Sequence, residues 1–600
     1  MTEWRPEGRA GSHPPKPVLT LNVGITGHRA TLLSAEIIAA LAPVVEEIFQ
    51  DLRAGLRALY REEGGIFADA PPVMRLHTPI ATGADQLALR CAQPEGFEIR
   101  ALLPFAPKEY EKDFTEEGEL EDFRIHLARA DRVFALPGTR DEGAEAYVRV
   151  GKGVIAAADI LIAIWDGKAG RGPGGTESVV SSALDGGLPV IHVCVEPETD
   201  TVVNVFLRTL SAIGDHGRTA CPPAPERFKA LVRDTLAPHE AIERADLTAF
   251  FNETERRFNP RVEYLLLLSL LGIKTFGKAA WRQGGIDEDI AREFGGNDHR
   301  VPDLELAYGW SNFLAIRYAQ KFRSGHVTNY ALSALAVLLA LGGLLVPGAK
   351  VYLVMVELGV IGLLFYNTRA GRREDWHRKW LQYRHLAESL RTMPYLKRTG
   401  LAGPPFRSDF VRGPLHREAG TDWTRWYAAA VWRQLRGPVG NVTPAGIKKL
   451  AQEAVDQQVV PQAEYHEVNA HRMEHLDHGL HLVGTALLWS VITAGLLFVV
   501  GYYTLHDLVA ENVGLFVFVT AGFPALGAAV FGMRGHGEHL LTASRSARTS
   551  RALEAEAARL RAVSDLETLA IELERTTETM LADLNEWTLA YRERSLEIPA

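Results

Sequence analysis

Over the first third of the chain, short apolar, β-branched runs alternate with stretches whose apolar residues recur at helical spacing. Val18–Ile25 (VLTLNVGI) ends in a glycine-containing turn and leads into the helical pattern Ala35–Leu56. Met74–Ala81 leads through Gly83-Ala84-Asp85 into a second helix, Glu98–Leu103 ends at Pro104, and Asp131–Leu136 ends at Pro137. Ile160–Trp165 and Val190–Val195 bracket a helix around Glu177–Leu184. Continuous apolar strands alternating with helices predict a parallel sheet covered on both faces, an open α/β, Rossmann-like domain across residues 18–200.

The pattern then changes. Residues 201–325 are mixed and mostly helical, with Val262–Leu271 (VEYLLLLSLL) either an embedded strand or a helix, too short to span a bilayer. Tyr330–Val346 and Val351–Tyr366 are almost wholly apolar and flank Pro347-Gly348-Ala349-Lys350. A second pair, Leu480–Tyr503 and Val513–Phe531, flanks a loop with His506, Asp507 and Glu511. A water-soluble helix keeps a polar face; these do not, so they are expected to be four transmembrane helices in two hairpins. Behind each hairpin a charged helix is expected, Arg372–Arg391 and Leu540–Arg594, a loose internal duplication. Leu553, Leu560, Leu566, Leu569 and Leu573 fit an amphipathic or coiled-coil helix, or equally a solvated bundle helix. The organisation expected is a flexible tail (1–17), the α/β domain (18–200), a helical coupling region (201–325), a first hairpin with its basic helix (326–400), a cytoplasmic helical segment (401–479), a second hairpin (480–534) and cytoplasmic C-terminal helices (535–600).

Charge sets the expected orientation. Arg317, Lys321 and Arg323 precede the first hairpin, Arg369, Arg372, Arg373, Arg378, Lys379 and Arg384 follow it, and Arg534, Arg545, Arg548 and Arg551 follow the second. The hairpin tips carry only Lys350, so the positive-inside bias puts both termini in the cytoplasm of a multi-pass protein of the inner membrane. The polar, proline-punctuated start has no apolar core of a signal peptide, which agrees.

Composition alone hides this. With 600 residues, 47% hydrophobic, 23% charged and a net charge of −9, the averages are those of a soluble protein of several domains. Cys91, Cys194 and Cys221 are too scattered for a disulfide framework or a thiolate metal site, and no long basic tract exists to hold nucleic acid. Neither a bound metal nor a resident cofactor is expected.

Candidate chemistry concentrates in three glycine-rich turns expected at one sheet edge. Gly24-Ile25-Thr26-Gly27-His28-Arg29 ends the first strand, Thr82-Gly83-Ala84-Asp85 follows the second, and Gly172-Pro173-Gly174-Gly175-Thr176-Glu177 opens a later helix. Backbone N–H groups in such turns cradle phosphate, and Arg29 adds charge. Asp166, in Trp165-Asp166-Gly167, is either a ribose ligand or a strand-end turn residue; Asp85 is either a base or ribose ligand or a helix cap.

The segments VGITGHR, ATGADQLA, LPFAPKEYEKDF and AADILIAIWDGKAGRGPGGTESVV, within residues 18–200, together resemble the SLOG superfamily. That resemblance implies a Rossmann-like domain that binds, or sometimes cleaves, nucleotides and NAD-derived molecules such as ADP-ribose. Carried over, its binding surface comprises Gly24, Thr26, Gly27, His28, Arg29, Gly83, Asp85, Gly174, Gly175, Thr176 and Glu177. The lonely-guy hydrolases of that superfamily use a longer loop with a catalytic glutamate; here Glu177 follows Thr176 directly. The membrane half, with RSGHVTNYALSALAVLLAL and DWHRKWLQYRHLAESLR, resembles the SLATT group of membrane-hairpin effectors of bacterial conflict systems, which implies an oligomeric pore or membrane-disrupting effector.

Glu357 falls inside an apolar segment, where a carboxylate lines a pore, pairs between helices, or sits in a segment grazing the interface. His471, His475, His478 and His481 share one helix face, a metal or pH row or simply a polar juxtamembrane face. No Ser-His-Asp order, H-E-x-x-H or P-loop lysine stands out. Two functions follow: a homo-oligomeric membrane effector gated by a nucleotide messenger, or a membrane-anchored nucleotide or NAD hydrolase in which Glu177, Asp85 and His28 are the acid–base candidates.

Overall fold

A computed structural model of the protein describes residues 11–168, 174–196, 201–208, 218–220, 225–295, 301–405 and 422–591. Its strands are β1 (Thr20–Gly27), β2 (Val73–Thr78), β3 (Glu98–Leu103), β4 (Arg132–Ala135), β5 (Ile160–Trp165), β6 (Val190–Glu196), β7 (Thr201–Arg208) and β8 (Arg218–Ala220), with a two-residue β9 (Gly440–Asn441). They form one sheet in the order β8-β7-β6-β5-β1-β2-β3-β4-β9, parallel except for β7 and β8. The expected α/β fold is present, and helices lie on both faces. Gly24 and Gly27 sit on opposite faces of β1: a Cβ on Gly24 would meet Val154 of helix Ala144–Ala157, and one on Gly27 would meet Ala84 of helix Ala84–Ala92.

The sheet continues past residue 200 through the antiparallel β7 and β8, and Gly440–Asn441 from beyond the first hairpin pairs with Phe134 and Ala135 at the other edge. The chain around residue 433 is pinned beneath the amino ends of the strands. Arg433 holds Asp159 at 2.8 Å, the Arg433 carbonyl accepts from Arg75 at 2.8 Å, and Gln434 accepts from the Val18 amide at 2.7 Å. Pro15 and Pro17, near the start of the chain, accept from the Tyr427 hydroxyl and the Ala68 amide. Val262–Leu271 resolves as a helix, Glu263–Leu270.

Four helices are long and apolar enough to cross a membrane. The first (Pro302–Leu345) and second (Lys350–Arg373) join through the turn Pro347–Ala349; the third (Val460–Thr504) and fourth (Val513–Gly537) join through the short helix His506–Glu511. The second packs on the first, the first on the fourth and the fourth on the third. Glycines permit the close crossings: a Cβ on Gly532 would fall within the Tyr330 ring's contact distance, and one on Gly484 within that of Phe531. Only 6% of the most apolar stretch of the third helix is buried within the protein, so its side chains need lipid rather than protein as solvent.

The first and third helices run far beyond their apolar halves. Trp310, Phe313 and Phe322 of the first belong to the same continuous core as Leu21, Val23 and Ile162 of the sheet. The charged helix expected over Arg372–Arg391 is broken at Asp375, which has φ 49°; it continues as Trp376–Thr399. That helix is not a solvated basic face. Trp376, Trp380, Leu386 and Leu390 enter the shared core, and Arg391 is buried between Glu388 and Glu293, at 2.8 Å from each, with the Tyr308 hydroxyl at 2.9 Å. The single helix expected after the second hairpin is likewise two, His539–Ala562 and Leu566–Tyr591, because Asp565 caps the second by accepting the Thr568 amide at 2.8 Å. Leu553, Leu560, Leu566, Leu569 and Leu573 are buried in the shared core.

Candidate functional site

The strand order places a topological switch point between β1 and β5: the chain moves from β1 outward to β4, then returns to the other side of β1. Open α/β sheets bind ligands in the crevice at the carboxyl ends of such strands. The three glycine-rich turns leave the carboxyl ends of the adjacent strands β5, β1 and β2, so the fold assembles them along one edge.

Their glycines prove to serve close packing. A Cβ on Gly27 would lie 2.4 Å from the Ala84 Cβ and 2.7 Å from the Ile164 carbonyl oxygen. Gly83, at φ 86°, admits the His28–Ala30 backbone at a distance no side chain tolerates. The Ala84 amide donates to the His28 carbonyl at 3.1 Å, locking the first two turns together. Gly24 lies in mid-strand and packs under Val154, away from the edge, while Thr26 is half-buried near it. Gly174, at φ 83°, packs on the start of helix Ala144–Ala157; Gly175 caps helix Thr176–Asp185, whose first turn presents Thr176 and Glu177, both half-buried. Gly172 and Pro173 lie outside the described residues.

The polar side chains form two ties. His28 Nε2 lies 3.3 Å from Asp166 Oδ1, and burial lowers the imidazole pKa against the opposing pull of Asp166. Asp166 also accepts the Lys168 amide at 3.1 Å, so it closes its turn and positions His28 at once. Asp85 is buried and accepts the Ala81 amide at 3.0 Å; desolvation raises its carboxyl to about 7, against that bond, the Arg29 charge and Thr78. Arg29 lies over the Tyr147 ring at 5.0 Å from its centroid. The Tyr147 hydroxyl donates to Asp113, which Arg140 also engages at 3.1 Å. Tyr110 is buried nearby, its hydroxyl pushed up by burial and then by Asp85.

Tyr110, Asp113, Tyr147 and Arg140 were not singled out from the sequence. Tyr110 and Asp113 stand within LPFAPKEYEKDF, but nothing in spacing alone tells that Tyr147 reaches across to that segment. Together the edge offers a held guanidinium, a neutral imidazole on a carboxylate and a helix amino end. Those groups suit a ligand carrying phosphate and hydroxyl groups.

Glu357 lies half-buried on the second long helix, at the outer end of the row of four, and among the described residues it has no ion-pair partner. His471, His475, His478 and His481 are all exposed along the third helix, with His471 3.8 Å from Glu474. Comparison of the chain with protein-family models, with curated proteins and with solved structures finds no match.

Proposed function

We propose that the protein is a bacterial membrane effector of a conflict or antiphage defence system, in which the SLOG-like domain senses a nucleotide or NAD-derived messenger and gates an oligomeric transmembrane pore. The ligand is held by the edge around Thr26, His28, Arg29, Asp166, Thr176 and Glu177; Gly27, Gly83, Gly174, Gly175 and Asp85 shape and support that edge, while Gly24 lets helix Ala144–Ala157 pack on β1. The helices lie in the inner membrane with both termini cytoplasmic, and Glu357, on the outermost helix of the row, faces the equivalent helix of the next copy around the pore axis.

One observation carries this reading. The sheet and the roots of the first long helix share one continuous hydrophobic core, and the helix runs from that core into its apolar half without interruption. A ligand that prefers one arrangement of the sheet therefore acts on a rigid lever reaching the membrane segment. A hydrolase with a mere anchor needs neither a shared core nor four spans. The hydrolase reading is favoured only by the Asp85 carboxyl, poised near neutral pH, yet that group is buried and committed to the Ala81 amide.

The test is calorimetry on the full chain in detergent with NAD, ADP-ribose and cyclic dinucleotides, with the ligand recovered and analysed afterwards. At least one binds and is recovered intact, and Arg29→Met or Thr176→Val weakens it about tenfold or more. Breakdown of the bound ligand establishes the hydrolase instead. Binding by none of these, or binding indifferent to both substitutions, refutes the assigned edge.

A further inference from the structure

A second cluster of charge lies away from the carboxyl edge, on the sheet face covered by helix Ala144–Ala157. Register brings His77, Arg100 and Arg132 side by side across β2, β3 and β4, with Arg75 and Glu98 paired in the next row. Arg75, Arg100, Arg132 and Lys397 line a small pocket that opens to solvent. Lys397 belongs to the end of helix Trp376–Thr399, and Trp432 closes the cavity beside it, with the Lys397 ammonium 4.2 Å from its ring centroid.

Among the described residues the arginines on this face outnumber the carboxylates. Glu98 is, among the described residues, the one carboxylate on this face that the arginines engage: Arg75 at 3.1 Å, and Arg100 in a closer contact. Burial, then the neighbouring Arg100 and Arg436, hold Arg132 below its ordinary range; burial, then Lys397, Arg75 and Arg100, push His77 well below its own, so the imidazole is neutral. Arg75 shows what a purely structural arginine looks like here. Its Nε reaches Glu98, its Nη1 the Arg433 carbonyl at 2.8 Å and its Nη2 the Gln434 carbonyl at 3.2 Å. Arg100 differs. It is 9% exposed, and its Nε and Nη1 are buried without a hydrogen-bond partner among the described residues. A buried guanidinium with two unsatisfied donors, among further cations, is costly unless an anion completes it.

We propose that this cavity is a second ligand site, which binds a phosphorylated small anion at the seam between the sheet and the helix that follows the first membrane hairpin. Arg100, Arg132 and Lys397 contact the phosphate groups, and Arg75 with Glu98 holds the floor. Because Arg100 and Arg132 stand on β3 and β4 while Lys397 stands on helix Trp376–Thr399, the anion ties the α/β domain to the membrane half from a different side than the carboxyl edge. The proposal does not depend on what that edge binds.

The experiment follows the thermal unfolding midpoint of the full chain in detergent against inorganic pyrophosphate and, separately, ADP. Binding to the folded state raises the midpoint with ligand concentration. Wild type shifts upward with pyrophosphate; a shift with ADP alone assigns the site to a nucleotide instead, and either supports the proposal when the variants behave as follows. Arg100→Met raises the midpoint of the ligand-free protein, since it removes the unsatisfied donors, and abolishes the shift. Arg132→Gln, on the cavity wall, weakens the apparent affinity about tenfold or more and serves if Arg100→Met does not fold. Arg29→Met, at the carboxyl edge, leaves the shift unchanged. No shift with either ligand in wild type, a shift that survives in both Arg100→Met and Arg132→Gln, or a shift lost in Arg29→Met overturns the proposal.

Discussion

Asp85→Asn isolates the energetic cost of the buried carboxyl beneath the glycine-rich turns. Asp85 carries its proton up to about pH 7 in the folded protein, against a value of 3.8 for the free side chain, because burial disfavours the charged form more than the Ala81 amide, Arg29 and Thr78 favour it. Between those two values the unfolded chain releases a proton that the folded chain keeps, so stability falls as pH rises through the window and levels off above about pH 7. The difference of about three units corresponds to an upper bound of roughly 4 kcal/mol. Asparagine retains an acceptor for the Ala81 amide and cannot ionise. Thermal unfolding in detergent, followed by tryptophan fluorescence from pH 4 to pH 8.5, therefore shows the variant close to wild type at pH 4 and progressively more stable than wild type up to a plateau near pH 7.5. The loss of a negative neighbour for Arg29 trims the gain but does not reverse its pH dependence. A stability difference that is flat with pH, or one that shrinks as pH rises, refutes the reasoning.

Two further outcomes follow from the buried ion cluster and from the charge bias. Arg391→Met leaves Glu293 without its cation and Glu388 with Arg384 alone, and should cost about 3 kcal/mol, read as a large fall in midpoint and in the yield of monodisperse protein; a change within a degree contradicts the cluster. In a background without native cysteines, Gly348→Cys and Ala510→Cys at the exposed hairpin turns should react with membrane-impermeant thiol reagents in intact cells, whereas Ala445→Cys and Ser564→Cys, both exposed on the opposite side of the spans, should react only after lysis; the reverse pattern inverts the topology.

The strands β1 to β6 are legible because each is a short apolar run closed by a turn residue, and the spans because Glu357 is the one Asp, Glu, Lys or Arg that interrupts them. The edge strands are not: Arg218–Ala220 and Gly440–Asn441 are too short to carry a pattern, and the second is borrowed from a distant segment. Burial of the charged helix behind the first hairpin is not legible in the sequence for a different reason. Arg391, Glu388 and Arg384 look like a solvated face until the partner Glu293 is placed beside them, and burial of a charge depends on that partner. At the carboxyl edge the glycine-rich turns are legible, whereas the packing of Gly27 and Gly83 into each other's loops depends on β1 and β2 lying side by side and is not. The basic row of the second cavity carried a readable signal, because polar residues alternate at period two in MRLHT and EIRALL. Treating those strands as uniformly apolar concealed it.

The central claim is that ligand at the carboxyl edge controls a path through the membrane. The most direct measurement is release of a small dye from proteoliposomes containing the full chain, on addition of whichever of NAD, ADP-ribose or a cyclic dinucleotide binds by calorimetry. Release should begin on addition of that ligand, stay at background with the non-binding compounds, and fall sharply in Arg29→Met. Saturating ligand with no release, or release of equal size without ligand, contradicts the account.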